Sequence, residues 1–156
     1  MTLQEGMDAP RFELPDADME MFSLDAQFPQ RNIVLYFYPR DDTPGCTMEA
    51  NEFSDLEDNF LQRDTLVVGV SRDDCLSHAE FRDKHGLSVL LLSDSDALVC
   101  EKYGVLYEKE VDGHKKIAVR RSTFVIDKKG KLRHVLYGVQ AHGHANEILN
   151  LVKELK

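Results

Sequence analysis

The chain has 156 residues, 42% of them hydrophobic and 30% charged, the balance of one ordinary globular domain spanning residues 1–156. Its formal net charge of −9 would stay negative with all six histidines protonated, which excludes a duplex nucleic-acid binder that needs a basic surface. No apolar run approaches the ~18 residues of a membrane span, and the acidic start Met1-Thr2-Leu3-Gln4-Glu5-Gly6-Met7-Asp8 has no apolar signal core, so a cytoplasmic protein without membrane partners is expected.

In chain order, Phe12, Leu14, Met21, Phe22 and Leu24 surround a polar Asp16-Ala17-Asp18 segment. This predicts a short N-terminal β-hairpin, with Pro10 and Pro15 limiting strand length. Ile33-Val34-Leu35-Tyr36-Phe37-Tyr38 is a continuous apolar run of the kind buried on both faces of a sheet, and Pro39 ends it. Residues 40–45 are polar and carry Pro44 and Gly45, hence a loop. A helix is predicted over 46–61, with Phe53, Leu56 and Phe60 on one face. Residues 65–71 predict a second buried strand. Asp73 or Asp74 can cap a helix running to about His85, and Gly86 can end it.

Further strands are predicted at 89–92, 123–127 and 132–137, the last two joined by the turn Lys128-Lys129-Gly130. Short and long helices are predicted at 96–103 and 144–155. Strands alternate with helices first, and a late strand pair follows. The expected class is α/β, a central mixed β-sheet flanked by helices. Ligand chemistry in such sheets gathers beyond the carboxyl ends of the parallel strands, and Cys46 lies just past one of them.

The three cysteines are Cys46, Cys75 and Cys100, with no Cys-x-x-Cys pair. That usage suits a reducing compartment and not a disulfide framework. Cys46 sits where a buried strand, a tight loop and a helix start meet. The free amides and dipole of a helix N-terminus stabilise an anion. An ordinary thiol ionises near ~8.5, and helix starts or cations lower this to roughly 3.5–7.5. More complete ionisation is worth only about 2 kcal/mol of rate. Any fast reaction therefore needs aligned donors as well. Thr43 offers a hydroxyl three residues before the thiol, and Pro39 and Pro44 stiffen the loop, with Pro39 shielding the thiolate from water. Arg40 is expected to be solvated, so the cation should come from Arg120-Arg121 at the entry of the 122–127 strand.

The spacing Pro39-x-x-x-Thr43-x-x-Cys46 resembles the signature of peroxiredoxins. The wider block Tyr36-Phe37-Tyr38-Pro39-Arg40-Asp41-Asp42-Thr43-Pro44-Gly45-Cys46-Thr47-Met48-Glu49-Ala50, with Arg121-Ser122-Thr123-Phe124-Val125-Ile126-Asp127, is similar to the bacterioferritin comigratory protein (PrxQ) branch. The resemblance spans essentially the whole chain. It implies a thioredoxin-like fold and thiol-dependent reduction of hydrogen peroxide and organic hydroperoxides, with no cofactor or metal. By the same resemblance, Cys46 is the peroxide-attacking cysteine and passes through a sulfenic acid. Thr43 and Arg121 bind and polarise the peroxide, Pro39 shields the pocket, and Glu49 matches a position that orients the arginine, although it equally suits a residue placed only for the helix dipole. Thioredoxin or a similar thiol is the implied reductant, and such proteins are monomers or weak homodimers.

The two positions where this branch carries a resolving cysteine are Asn51 and, by alignment, Arg82. Three routes stay open: Cys75 as resolver, a one-cysteine mechanism with an external thiol, and Cys100, which otherwise suits a core role. Cys75 gains from topology if the strands at 33–38 and 65–71 are parallel neighbours, although a disulfide needs Cα atoms within about 7 Å. A dithiol oxidoreductase would want Cys-x-x-Cys, and a cysteine phosphatase would want arginine where Glu52 stands. A redox sensor would share the sulfenic acid chemistry but hand the oxidation to a partner. His142 and His144 are expected in a solvated loop, without the carboxylate or thiolate neighbours of a metal site.

Overall fold

A computed structural model describes residues 2–155. Its centre is a five-stranded sheet in the order β5-β4-β3-β8-β9, built from β3 (Asn32–Phe37), β4 (Thr65–Ser71), β5 (Leu90–Ser93), β8 (Ser122–Ile126) and β9 (Leu132–Tyr137). The predicted mixed topology is present. β3 runs parallel to β4 and antiparallel to β8, and β4 runs parallel to β5. Every residue of β3 is buried, as its unbroken apolar sequence requires for the middle of a covered sheet.

Strand alternation splits β3 between two cores. Ile33, Leu35 and Phe37 join one cluster, and Val34, Tyr36 and Tyr38 join the other. The first cluster is covered by the N-terminal hairpin, β1 (Glu13–Pro15) and β2 (Met21–Ser23), together with α4 (Leu98–Lys102). The second is covered by α1 (Pro44–Asp55), α2 (Glu57–Leu61), α3 (Cys75–His85) and α5 (His144–Lys153), which supply Phe53, Phe60, Phe81 and Ile148.

Three differences from the sequence expectation stand out. The helix after β3 starts at Pro44 and not at Cys46, because proline is pre-shaped for a first helical position. That helix also breaks at Leu56, which nothing in the local sequence explains. Residues 106–119, unassigned from sequence, form a separate hairpin of β6 (Leu106–Val111) and β7 (His114–Val119). Its two turn residues, Asp112 and Gly113, have φ of 52° and 79°, the left-handed pair that a tight hairpin demands. The caps of α3 are as expected. Asp74 accepts from the Ser77 amide at 2.8 Å, and Gly86 closes the helix at φ 62°.

Gly69 on β4 lies opposite Tyr36, whose ring crosses over it. A Cβ there would meet Tyr36 Cζ at 2.6 Å, and that ring is fully buried and stacked on Phe53 at 4.7 Å. Gly69→Ala is expected to destabilise the fold by about 1–3 kcal/mol through overpacking. A urea midpoint equal to that of the wild type would show that the ring has room to move.

Candidate active site

The register of the sheet gathers the site. β3 ends opposite the start of β8, with Phe37 paired to Ser122. The chain leaves β3 through Tyr38 and Pro39 and re-enters helix at Pro44, so Cys46 occupies the third position of α1. Arg121 immediately precedes β8, and its backbone is held by the Val139 amide at 2.9 Å. The two strands therefore deliver a helix start and an arginine to one sheet edge.

Cys46 is 1% exposed and packs in the cluster that includes Tyr36, Tyr38, Ala50 and Phe53. Arg121 Nη2 donates to its Sγ at 3.4 Å. The other arm, Nη1, donates to Glu49 Oε1 at 2.6 Å. Glu49 lies one turn along α1 from Cys46, so one guanidinium bridges two residues of the same helix face. Gly45 leaves space for it, since a Cβ there would lie 3.1 Å from Arg121 Nη2.

The first α-helical bond of this turn runs from the Thr47 amide to Thr43 O at 2.8 Å. The Gly45 and Cys46 amides, just before it in the first turn, have no acceptor within the helix. Thr43 is the N-cap residue but does not cap them. Its hydroxyl instead donates to Arg40 O at 3.0 Å, so its oxygen lone pairs stay free. The geometry leaves a set of unspent donors at the thiol-bearing turn.

Glu49 is fully buried, and its Oε2 has no partner among the described residues. Burial drives its pKa up to about 7, and the attraction and hydrogen bond of Arg121 recover only part of that cost. Burial also opposes the charge on Arg121, but Glu49 and Cys46 outweigh it and raise the arginine further. The phenol of Tyr36, likewise buried without a partner, is pushed up by burial and then by the nearby Glu49.

Of the other residues singled out from sequence, Pro39 and Arg40 are exposed, in an open depression that also contains Arg72 and the β6–β7 hairpin. Arg120 is exposed and lies over the Tyr107 ring at 5.1 Å. Cys75 is half-buried as the first residue of α3. Arg82 is spent on Asp18 at 3.1 Å and Asp83 at 3.0 Å. Cys100 belongs to the core on the opposite face of the sheet, where burial, reinforced by Asp94, holds its thiol well above the usual range.

The histidine expectation needs a correction. His142 is solvated, but His144 is buried at the start of α5, with Nε2 2.7 Å from Thr123 Oγ1. Burial lowers its pKa. Placing it on a solvated loop overlooked that Gly143, with φ of 75°, turns the chain inward and that its amide is fastened to Glu52 at 2.9 Å. No group of three or more potential metal-binding side chains gathers among the described residues.

Sequence reasoning also passed over a buried polar cluster beside the loop, comprising Tyr38, Asp41, Asp73, Ser77 and His78. The two aspartates sit in plain turn sequence, and nothing local marks His78 as their partner.

Known proteins resemble this chain over nearly its whole length. The AhpC/TSA family matches residues 6–135. A putative peroxiredoxin bcp of Coxiella burnetii is 41% identical over 96% of this chain and 98% of its own length. The structure of a cysteine mutant of Xylella fastidiosa PrxQ superposes with a TM-score of 0.92 at 34% identity, covering 98% of this chain and 97% of that one. The Xanthomonas campestris bacterioferritin comigratory protein, studied for alkyl peroxide reduction, gives 0.86 at 33% identity over 91% and 90% of the two chains. With an arginine-bridged cysteine at a helix start and likeness running nearly end to end, the chain belongs to the AhpC/TSA family, in the Bcp/PrxQ branch of the peroxiredoxins, and is a thiol-dependent peroxidase.

Proposed function

We propose that Cys46 is the attacking thiol and that Arg121 is its principal electrostatic partner. The observation that carries this is the 3.4 Å contact between Arg121 Nη2 and Cys46 Sγ at the start of α1. The ionised sulfur attacks the terminal oxygen of a hydroperoxide and the O–O bond breaks. Sulfur keeps that oxygen and its hydrogen as a sulfenic acid, while the other oxygen leaves with the electron pair and takes a proton to become water or an alcohol. Arg121 and the free Gly45 and Cys46 amides supply donors for the two oxygens as negative charge moves between them, and the Thr43 hydroxyl, whose hydrogen goes to Arg40 O, offers its lone pairs to the peroxide O–H. Glu49 acts through Arg121 by fixing its plane. Pro39 stiffens the strand exit and limits water at the loop. Alkyl peroxide reduction by the X. campestris relative supports organic hydroperoxides among the substrates.

We further propose Cys75 as the resolving thiol, followed by reduction through a thioredoxin-type partner. Cys100 is on the wrong face of the sheet, whereas Cys75 begins α3 on the same face as Cys46. The parallel pairing of β3 with β4 brings the loops after both strands to one edge. Three unpaired thiols suit a reducing cytoplasm. The net charge of −9 opposes nucleic-acid binding and self-association beyond a monomer or weak homodimer.

Cys46→Ser is expected to abolish peroxide consumption with an unchanged far-UV spectrum, and Arg121→Ala to slow stopped-flow oxidation of Cys46 by on the order of 10²-fold or more. Wild-type turnover in the first, or a near-normal rate in the second, would remove that residue from the reaction.

Non-reducing peptide mass spectrometry after one equivalent of peroxide is expected to yield a Cys46–Cys75 cross-linked peptide. Sulfenic acid trapped at Cys46 while Cys75 stays free would instead establish the one-cysteine route.

Glu49 also predicts a pH dependence. A carboxyl whose folded pKa is raised binds its proton more tightly in the native state, so stability falls as pH rises from 4.5 to about 7. The loss from this group is about 3 kcal/mol. Glu49→Gln should remove that part of the slope. Parallel wild-type and variant urea midpoints between pH 5 and 8 would show that Glu49 is not the titrating group.

A further inference from the structure

The loop that carries Cys46 is fastened by a buried group that the reaction itself does not use. Asp41, five residues before the thiol, is 8% exposed. Its Oδ1 accepts from Tyr38 Oη at 2.6 Å. Its Oδ2 accepts from Ser77 Oγ at 2.8 Å and lies 2.7 Å from Nδ1 of His78, which is fully buried. Its backbone amide donates to Asp73 Oδ2 at 2.8 Å. Ser77 and His78 belong to the first turn of α3 and Asp73 immediately precedes its cap, so all three bonds cross from the Cys46 loop to the segment holding Cys75.

Hydrogen-bond chemistry fixes the proton count of this cluster. His78 Nε2 is 2.8 Å from Leu92 O. A carbonyl oxygen can only accept, so Nε2 carries a proton. In a neutral ring Nδ1 would then present a lone pair to a carboxylate oxygen at 2.7 Å, two acceptors in a site closed to water. A further proton must therefore bridge Nδ1 and Oδ2.

We propose that Asp41 and His78, joined by this bridging proton, are positioning residues for the peroxidase reaction. They hold the loop so that the α1 start presents Cys46 to Arg121, and they keep the Cys75 turn beside it. A buried pair of this kind is poorly reproduced by water, so loosening it lets the loop drift from Arg121. Misplacement of reacting groups by about 1 Å can cost on the order of 10²-fold in rate. This role rests on Cys46 as the attacking thiol, whereas the proton count does not.

Two variants separate positioning from folding. Asp41→Ala removes the carboxylate but strands no charge. Tyr38 Oη, already 3.5 Å from His78 Nδ1, can donate to a neutral ring. Asp41→Asn keeps the contacts without the extra proton, because its amide N–H groups can donate to Nδ1 and to Ser77 Oγ, which then accepts, and its carbonyl can accept from Tyr38. Wild-type protein should show a strongly deshielded, exchange-protected Nδ1–H resonance from His78, absent from both variants. Stopped-flow oxidation of Cys46 should slow at least about ten-fold in Asp41→Ala and recover to within about three-fold of wild type in Asp41→Asn. A wild-type His78 lacking Nδ1–H overturns the clamp whether or not Cys46 reacts. An Asp41→Ala protein that oxidises at the wild-type rate, or an Asp41→Asn protein as slow as Asp41→Ala, overturns its positioning role while leaving Cys46 chemistry intact.

Discussion

One guanidinium serving two acidic groups organises this molecule. Arg121 reaches Glu49 with one nitrogen and Cys46 with the other, at 2.6 and 3.4 Å. Both partners lie on one face of α1 and both are almost wholly buried. A single positive charge does not fully offset the cost of burying a carboxylate in a site of low polarity. Burial raises the pKa of Glu49 to about 7 although it makes a short ion pair. An alanine or leucine at position 49 would pack more cheaply, since buried ion pairs rarely repay their desolvation. The carboxylate is accounted for by geometry, because a planar guanidinium held on one edge leaves its other edge aimed at the sulfur.

That arrangement depends on the alternation of β3. Odd-numbered residues from Ile33 face the core under the N-terminal hairpin, and even-numbered ones face α1 and α5. The same division sorts the cysteines. Cys46 lies over the even face, and α3 brings Cys75 to that side, while Cys100 is sealed behind the odd face. A register slip of one residue would exchange the faces. Gly69 guards the register locally, since the Tyr36 ring needs the space that a side chain on β4 would fill.

Much of this was legible in the sequence. Apolar runs marked β3, β4 and β8. Asp74 and Gly86 marked both ends of α3, and the loop from Pro39 to Cys46 marked the thiol that Arg121 contacts. What stayed hidden was long-range or chemically plain. β6 carries Glu108-Lys109-Glu110 and β7 His114-Lys115-Lys116 on an exposed ribbon, and no hydrophobic period announces them. Their Asp112-Gly113 turn was the available signal. The burial of His144 depends on Thr123 and the turn at Gly143, neither of which has a local signature. Asp41 and His78 each read as an ordinary turn or helix residue, because hydrogen-bond complementarity appears only once two loops are folded against each other.

Reactivity and access make opposite demands on the loop. Cys46 is 1% exposed, yet in the proposed reaction its thiol meets first a peroxide and then a second thiol. Peroxides are small and need little opening, while precise placement of Sγ against Arg121 raises their rate of attack. Disulfide formation needs more, since Sγ must leave a packed cluster that includes Tyr36 and Phe53. A loop held only by apolar contacts would relax gradually. Short polar bonds from Asp41 to Ser77, His78 and Tyr38 break more abruptly, because a buried partner left without its bond is strongly unfavourable until water arrives. The balance suits a peroxidase whose turn stays ordered while the sulfur is reduced.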